Sequence, residues 1–281
     1  MNELQWIEYL KKASPTHRDV IVGIGDDCAI VKGKGRYLLF TSDLFIEHVH
    51  FTRRGADFKQ LGKRAASRAL SDIVACGGVP KYLGISAGIP KGTSAQHMRS
   101  LFTGIKEYCR KYKIDIVGGD TSQSSVLFLD IWAVGETKKY VLRSTAVSGD
   151  YIFVTGPLGR LKFDQPCQLR AKEIQALVKA YKVTSMIDIS DGFVLDLYRI
   201  LQASRKGALL WSEEIPLTRG KKDLYRGEDY ELLFTVDRRE NIAQLAKKYF
   251  LVGRIKNAAF GYKIASGGKN EDVSVKGYLH F

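Results

Sequence analysis

The chain has 281 residues, 45% hydrophobic and 26% charged, and its 44 Lys and Arg outnumber 30 Asp and Glu for a formal net charge of +14. Such a length buries a sizeable core in one or two domains, and the composition is that of a globular protein. No 18-residue apolar run occurs, which excludes a helical membrane span. Cys28, Cys76, Cys109 and Cys167 are scattered without a C-x-x-C pair, which argues against a disulfide frame or a zinc site.

In chain order, the opening "MNELQWIEYLKKAS" lacks the apolar centre of a signal peptide, so a cytoplasmic location is expected. Val20, Ile21 and Val22 read as a strand, Gly23 and Gly25 allow a sharp bend, and Asp26 and Asp27 follow before apolar character returns at Ala29. Residues 36–46, "RYLLFTSDLFI", read as a strand that runs into a polar turn and continues. Leu61, Ala65, Ala69, Ile73 and Cys76 keep helical spacing over 59–76, and Gly77, Gly78 and Pro80 stop that helix. A strand at 82–89, a helix over 94–112 and strands at 114–119 and 125–136 follow. The polar, basic stretch 137–148 reads as a boundary, giving domains of 1–147 and 148–281. Beyond it the pattern predicts a strand from 150, helix 171–181, strand 185–189, helix 192–204, strand 230–236 and helix 238–249. The fold class is α+β, with two α/β domains of similar size.

The positive charge is spread along the whole chain, with no arginine-rich helix, RNA-binding aromatic pattern or zinc finger. A basic nucleic-acid-binding protein is therefore the weaker reading. A basic surface that draws in small phosphorylated ligands accounts for the charge equally well.

The acids are more informative. Asp27, Asp43, Asp72, Asp120, Asp188 and Asp191 all sit where apolar runs meet small residues. Any one of them can be a cap, as Asp191 can for the helix that follows it. Together they need cations, because a carboxylate withdrawn from water alone costs several kcal/mol or more. Aspartates with Ser and Thr hydroxyls, and no His/Cys cluster, form the hard oxygen set that suits Mg²⁺. His48 and His50 would share one face of a strand and suit zinc, but no third ligand is near in sequence. Neither a Walker A motif nor a kinase glycine loop occurs, so any ATP would be gripped through metals.

Seven motifs in order, "GIGDDCAIV", "TSDLFIEHVHF", "ALSDIVACGG", "VGGDTSQS", "GDYIFVTGPLG", "IDISDGFVLDL" and "GEDYELLF", make the chain resemble the thiamine-monophosphate kinases. Those kinases belong to an ATP-using superfamily shared with aminoimidazole ribonucleotide and selenophosphate synthetases. The resemblance implies an N-terminal domain whose sheet forms a barrel across a homodimer, a C-terminal α/β domain, ATP as co-substrate and several Mg²⁺ ions. It implies metal ligation by Asp27, Thr41, Ser42, Asp43, Asp72, Asp120, Asp188 and Asp191, and nucleotide contacts from Gly119, Asp120, Arg143 and Ser190. It implies recognition of thiamine monophosphate by His50, Glu228 and Tyr278. His48 stands where glycine is usual and Ala69 where asparagine is common, while residues 157–185 are short and lack the usual Arg-Pro-x-Pro-Arg-like stretch. The implied reaction is direct in-line transfer without a general base. A superfamily sister is the alternative within the enzyme class, although no reactive cysteine of the selenophosphate type precedes Cys28.

Overall fold

Two mixed sheets carry the strands, and the computed structural model describes residues 3–162 and 165–278. The first half runs α1 (Glu3–Ala13), β1 (Val20–Val22), β2 (Ala29–Lys32), β3 (Tyr37–Ile46), α2 (Phe58–Ala75), β4 (Val79–Pro90), α3 (Ala95–Tyr112), β5 (Asp115–Ser124) and β6 (Phe128–Thr137). Its sheet has the order β1-β2-β3-β6-β4-β5, parallel only between β4 and β5. β3 is one unbroken strand, paired with β6 from Tyr37↔Thr137 to Ile46↔Phe128, where a turn inside it was expected. Along β6 the burial alternates residue by residue, so Leu129, Ile131 and Ala133 enter the core.

α2 is set by its apolar period and by Asp57, whose carboxylate accepts from the N–H groups of Lys59 (2.8 Å) and Gln60 (3.2 Å). It packs closely on α3 through two glycines. A Cβ on Gly62 would stand 1.9 Å from the Leu101 carbonyl oxygen, and one on Gly104 would stand 1.9 Å from that of Lys59. This contact fixes how deeply α2 sits on the sheet.

The second half runs β7 (Tyr151–Val154), α4 (Ala171–Ala180), β8 (Val183–Asp188), α5 (Phe193–Ser204), β9 (Gly207–Trp211), β10 (Leu232–Val236), α6 (Ile242–Ala246), β11 (Phe250–Lys256), β12 (Tyr262–Ser266) and β13 (Lys269–Asp272). The order is β13-β12-β9-β11-β7-β10-β8, antiparallel except between β12 and β9. α6 is much shorter than the helix expected over 238–249. Asp237 folds the chain back on Arg239, Asn241 caps only at Gln244, and β11 starts at Phe250.

The two halves are joined through α2. One apolar cluster runs from α2 and the first sheet into α4, β8 and β10, and Ser71 on α2 donates to Asp188 at the end of β8 (2.7 Å). A second cluster lies under α5. The first sheet is open in the single chain, with β1 and β5 at its edges. Among the described residues no helix is long and apolar enough to cross a membrane.

The close α2–α3 approach predicts that Gly62→Ala destabilises the fold by at least the ~1–3 kcal/mol typical of overpacking. The melting temperature should fall by ~2–4 °C for each kcal/mol. A thermal melt indistinguishable from that of the parent protein would show that the helices can separate without cost.

Candidate active site

Three carboxylates from three separate elements converge. Asp27 lies in the loop between β1 and β2, Asp72 near the end of α2 and Asp188 at the last position of β8, and one oxygen of each lies within 4.8 Å of the others. Thr41 Oγ1 donates to Asp72 Oδ2 (2.6 Å), Ser71 Oγ to Asp188 Oδ2, and Arg143 pairs with Asp27 while its backbone N–H donates to Asp26 (3.0 Å). Asp27 Oδ2 is buried with no hydrogen-bond partner.

Burial pushes the carboxyl of Asp72 well above the usual carboxylate range, reinforced by the charges of Asp188, Asp27 and Asp43. Asp188 is raised in the same way, by burial and then by Asp27. Asp26 is raised to about 6 by burial and by Asp27, against the pull of Arg143. The adjacent thiols of Cys28 and Cys76 are raised too, Cys76 to about 11, and Cys76 Sγ lies within 4.8 Å of carboxylate oxygens of Asp26 and Asp27. The orphaned oxygen, the hydroxyl donors and the surplus of negative charge fit a hard divalent cation.

Beside the cluster lies a cavity of about 300 Å³, whose walls bring Asp43, Asp72, Ser190 and Asp191 together with His50, Glu228 and Tyr278. The loop carrying Glu228 is held by backbone bonds to the chain after β8. Glu228 N donates to Ser190 O (2.7 Å) and Tyr230 N to Ile189 O (2.9 Å). Both residues take positive φ, 68° and 50°, which costs a non-glycine residue on the order of 1–3 kcal/mol. Gly227 permits this approach, since a Cβ there would stand 2.4 Å from Ser190 O. Tyr278 reaches the cavity mouth because its N–H donates to Asp191 O (3.0 Å), and its ring is left nearly half exposed.

Sequence reasoning missed two arginines here. Arg68 donates from Nε and Nη2 to Asp43 (3.0 and 3.3 Å) and from Nη1 to Glu228 (2.8 Å), while Arg64 pairs with the other oxygen of Glu228. The spacing 64, 68, 72 along one helix face was the available signal. Arg64 also donates to the carbonyls of Lys162 and Gln165, and Arg226 to those of Gly159 and Leu161. The shortened stretch before α4 is thus pinned by side chains from the site.

Asp196 was missed as well. It is fully buried and accepts from the N–H groups of Asp191 (3.0 Å) and Gly192 (3.1 Å), the two residues before α5, while the side-chain cap expected from Asp191 is not made. Asp191 instead pairs with Arg199 (2.6 Å). Burial raises Asp196 to about 7 despite Arg199.

Several expected residues lie elsewhere. Ser42 follows Thr41 on β3, so its hydroxyl faces the opposite side of the sheet and bonds Asp130. Gly119 and Asp120 fall on the exposed edge strand β5, beside an apolar groove lined by Ile85, Phe102 and Ile116 rather than at the carboxylate cluster. His48 and His50 do not share a strand face, because β3 ends at Ile46 and His48 takes φ 69° in a turn. His48 points outward beside Glu47, whereas buried His50 accepts from Ile46 N at Nδ1 (2.9 Å), so the two cannot serve one zinc ion.

Residues 25–137 match the family model described as AIR synthase related protein, N-terminal domain. A thiamine-monophosphate kinase from Pyrococcus abyssi is 31% identical over 92% of this chain and 90% of its own length. Another from Aquifex aeolicus is 31% identical over 92% of each chain. A solved structure described as AaThiL complexed with AMPPCP and TMP superposes with a TM-score of 0.85 at 29% identity, covering 100% of this chain and 97% of that one. The matched residues, which supply Asp27, Asp43 and Asp72 to the site, are similar to an AIR synthase related N-terminal domain. Within that class the chain belongs to the thiamine-monophosphate kinase family.

The raised acids predict a pH response. In the unfolded chain they ionise near 3.8, but Asp26 holds its proton to about 6 and Asp196 to about 7 in the fold. Their stabilisation is therefore fully present below the unfolded value and is lost as pH rises through the folded values. In chelator, the melting temperature should fall as pH is raised across this interval, and Asp196→Asn should flatten the slope. A melting temperature that rises with pH over the same interval would contradict the burial of these groups.

Proposed function

We propose that the chain transfers the γ-phosphoryl group of ATP to thiamine monophosphate, giving ADP and thiamine diphosphate. The observation that carries this reading is the convergence of Asp27, Asp72 and Asp188, with Asp72 in the wall of a cavity that also holds His50, Glu228 and Tyr278. Membership in the kinase family supports it. So does the relative of known structure, whose ligands include AMPPCP, an ATP analogue.

On this reading Asp27, Asp72 and Asp188 hold Mg²⁺, with Thr41, Asp43 and Asp191 at the margin of the metal site. Bound Mg²⁺ supplies the charge neutralisation that lets two polyanions meet and stabilises the transferring phosphoryl group. The chain's own residues position the reactants. The acceptor is a phosphate oxygen whose second pKa is about 6, so it arrives ionised and no general base is required. We assign the nucleotide contacts to Ser190, on the cavity wall, and to Arg143, which pairs with Asp27. Glu228, held by two guanidiniums, keeps a second lone pair on each oxygen for a donor of the aminopyrimidine. The ring of Tyr278 offers a face to the thiazolium cation, a contact of ~0.5–2 kcal/mol.

We further propose the domains 1–147 and 148–281, because the first sheet ends at Thr137 and the second begins at Tyr151. The outward face of the first sheet carries Phe40, Leu44 and Tyr82, each more than a third exposed, and a second copy would cover them by completing a barrel. Gly119 and Asp120 lie apart from the cavity in a single chain, so their part in nucleotide binding rests on that dimer.

Asp72→Asn and Asp188→Asn should each lower kcat by ~100-fold or more, about 2.7 kcal/mol of transition-state stabilisation. Glu228→Gln and Tyr278→Ala should raise KM for thiamine monophosphate ~10- to 100-fold with ATP binding unchanged. Near-normal turnover in both aspartate variants would remove the metal cluster from the mechanism. Loss of nucleotide binding in the other two, with thiamine monophosphate still bound, would reverse the pockets. For the dimer, light scattering should give twice the chain mass, and a species of 31.5 kDa at micromolar concentration would overturn it.

A further inference from the structure

We propose that Arg68 is a resident cation of this site: its guanidinium occupies Asp43 in place of a divalent ion, and such an ion reaches Asp43 only by displacing it. The inference rests on the metal reading above and concerns one side chain to which that reading gives no part in metal binding. Arg68 engages both oxygens of Asp43, at 3.0 and 3.3 Å, and spends its remaining terminal nitrogen on Glu228 at 2.8 Å. Its side chain is 9% exposed, with Cζ 5.7 Å from the Phe45 ring centre and 6.0 Å from that of Tyr230. Packing on both rings fixes the guanidinium in the cavity wall.

The charges separate the acids into two sets. Arg64 and Arg68 face Asp43 and Glu228, two positive against two negative, and that group is neutral without any ion. Asp27, Asp72 and Asp188, with Asp26 beside them, have Arg143 as their paired cation. An ion entering the second set relieves repulsion. One approaching Asp43 meets a fixed like charge that burial leaves largely unscreened. The helix explains the juxtaposition, because Arg68 stands one turn before Asp72 on the same face of α2. The site should therefore bind divalent ions in two classes, strong at Asp27, Asp72 and Asp188 and weak at Asp43.

Arg68→Met removes the charge, keeps an unbranched stem between the two rings and leaves Glu228 held by Arg64. Free Mn²⁺ can be followed by electron paramagnetic resonance as the full-length protein is titrated without nucleotide. The variant should gain one tightly bound ion, or bind its weak class at least about tenfold more tightly than the parent. Arg68→Lys, which keeps a cation near Asp43, should titrate like the parent. Adding Asp43→Asn to Arg68→Met should abolish the gain. A parent-like titration for Arg68→Met overturns the inference while leaving the metal site intact. Absence of Mn²⁺ binding in both proteins would overturn the metal reading and this inference with it. A misfolded variant loses ions rather than gaining one, so the expected result cannot arise from structural damage.

Discussion

Asp27, Asp72 and Asp188 bring three carboxylates within 4.8 Å of one another in surroundings largely withdrawn from water, and most of the site follows from that repulsion. Each acid is given part of a solution by its neighbours. Thr41 and Ser71 donate hydroxyls, and Arg143 supplies one positive charge. The rest is left uncompensated, as the raised carboxyls and the orphaned Asp27 Oδ2 record. A fold that keeps such a cluster is poised for a cation, because an ion turns mutual repulsion into shared attraction.

α2 is the element through which this constraint is distributed. It carries Arg64, Arg68, Ser71 and Asp72, and it packs on the first sheet and on β8 of the second. Its approach to α3 leaves no room for a side chain at Gly62 or Gly104, so the helix has little freedom to shift. Fixing α2 fixes the separation between the acids of the two halves. The backbone of the site is held just as firmly. Glu228 and Tyr230 keep left-handed conformations only because the carbonyls of Ser190 and Ile189 accept their N–H groups.

The two sets of acids in this cleft illustrate different physical solutions. Asp43 and Glu228 are neutralised by arginines with bidentate and bridging geometry, which balances their charge and links them in one network. A network of this kind orders the cavity wall and shapes where a substrate can lie. The open set of Asp27, Asp72 and Asp188 is suited to chemistry because its charge is incompletely balanced.

The long strands and helices were legible in the sequence, since period and punctuation act locally. β3, α2, α3, β6 and α5 fall close to where the pattern places them. The acids stood out because carboxylates beside apolar runs are costly whatever the fold. Other features were less accessible. Arg64 and Arg68 look like ordinary solvated charges on an amphipathic helix until β3 and the Glu228 loop close over them. Asp196 reads as a mid-helix polar residue until its carboxylate is seen reaching back to Asp191 and Gly192. Alternation along β3 could have separated Thr41 from Ser42, but it failed for His48 and His50 because the strand had already ended. Local chemistry, then, determined which residues could not remain in an apolar setting without a partner. Which of them share a cation, which are matched by arginine, and which face away was decided by contacts far apart in the chain, because electrostatic partnership depends on distances that only the packing of α2 against both sheets sets.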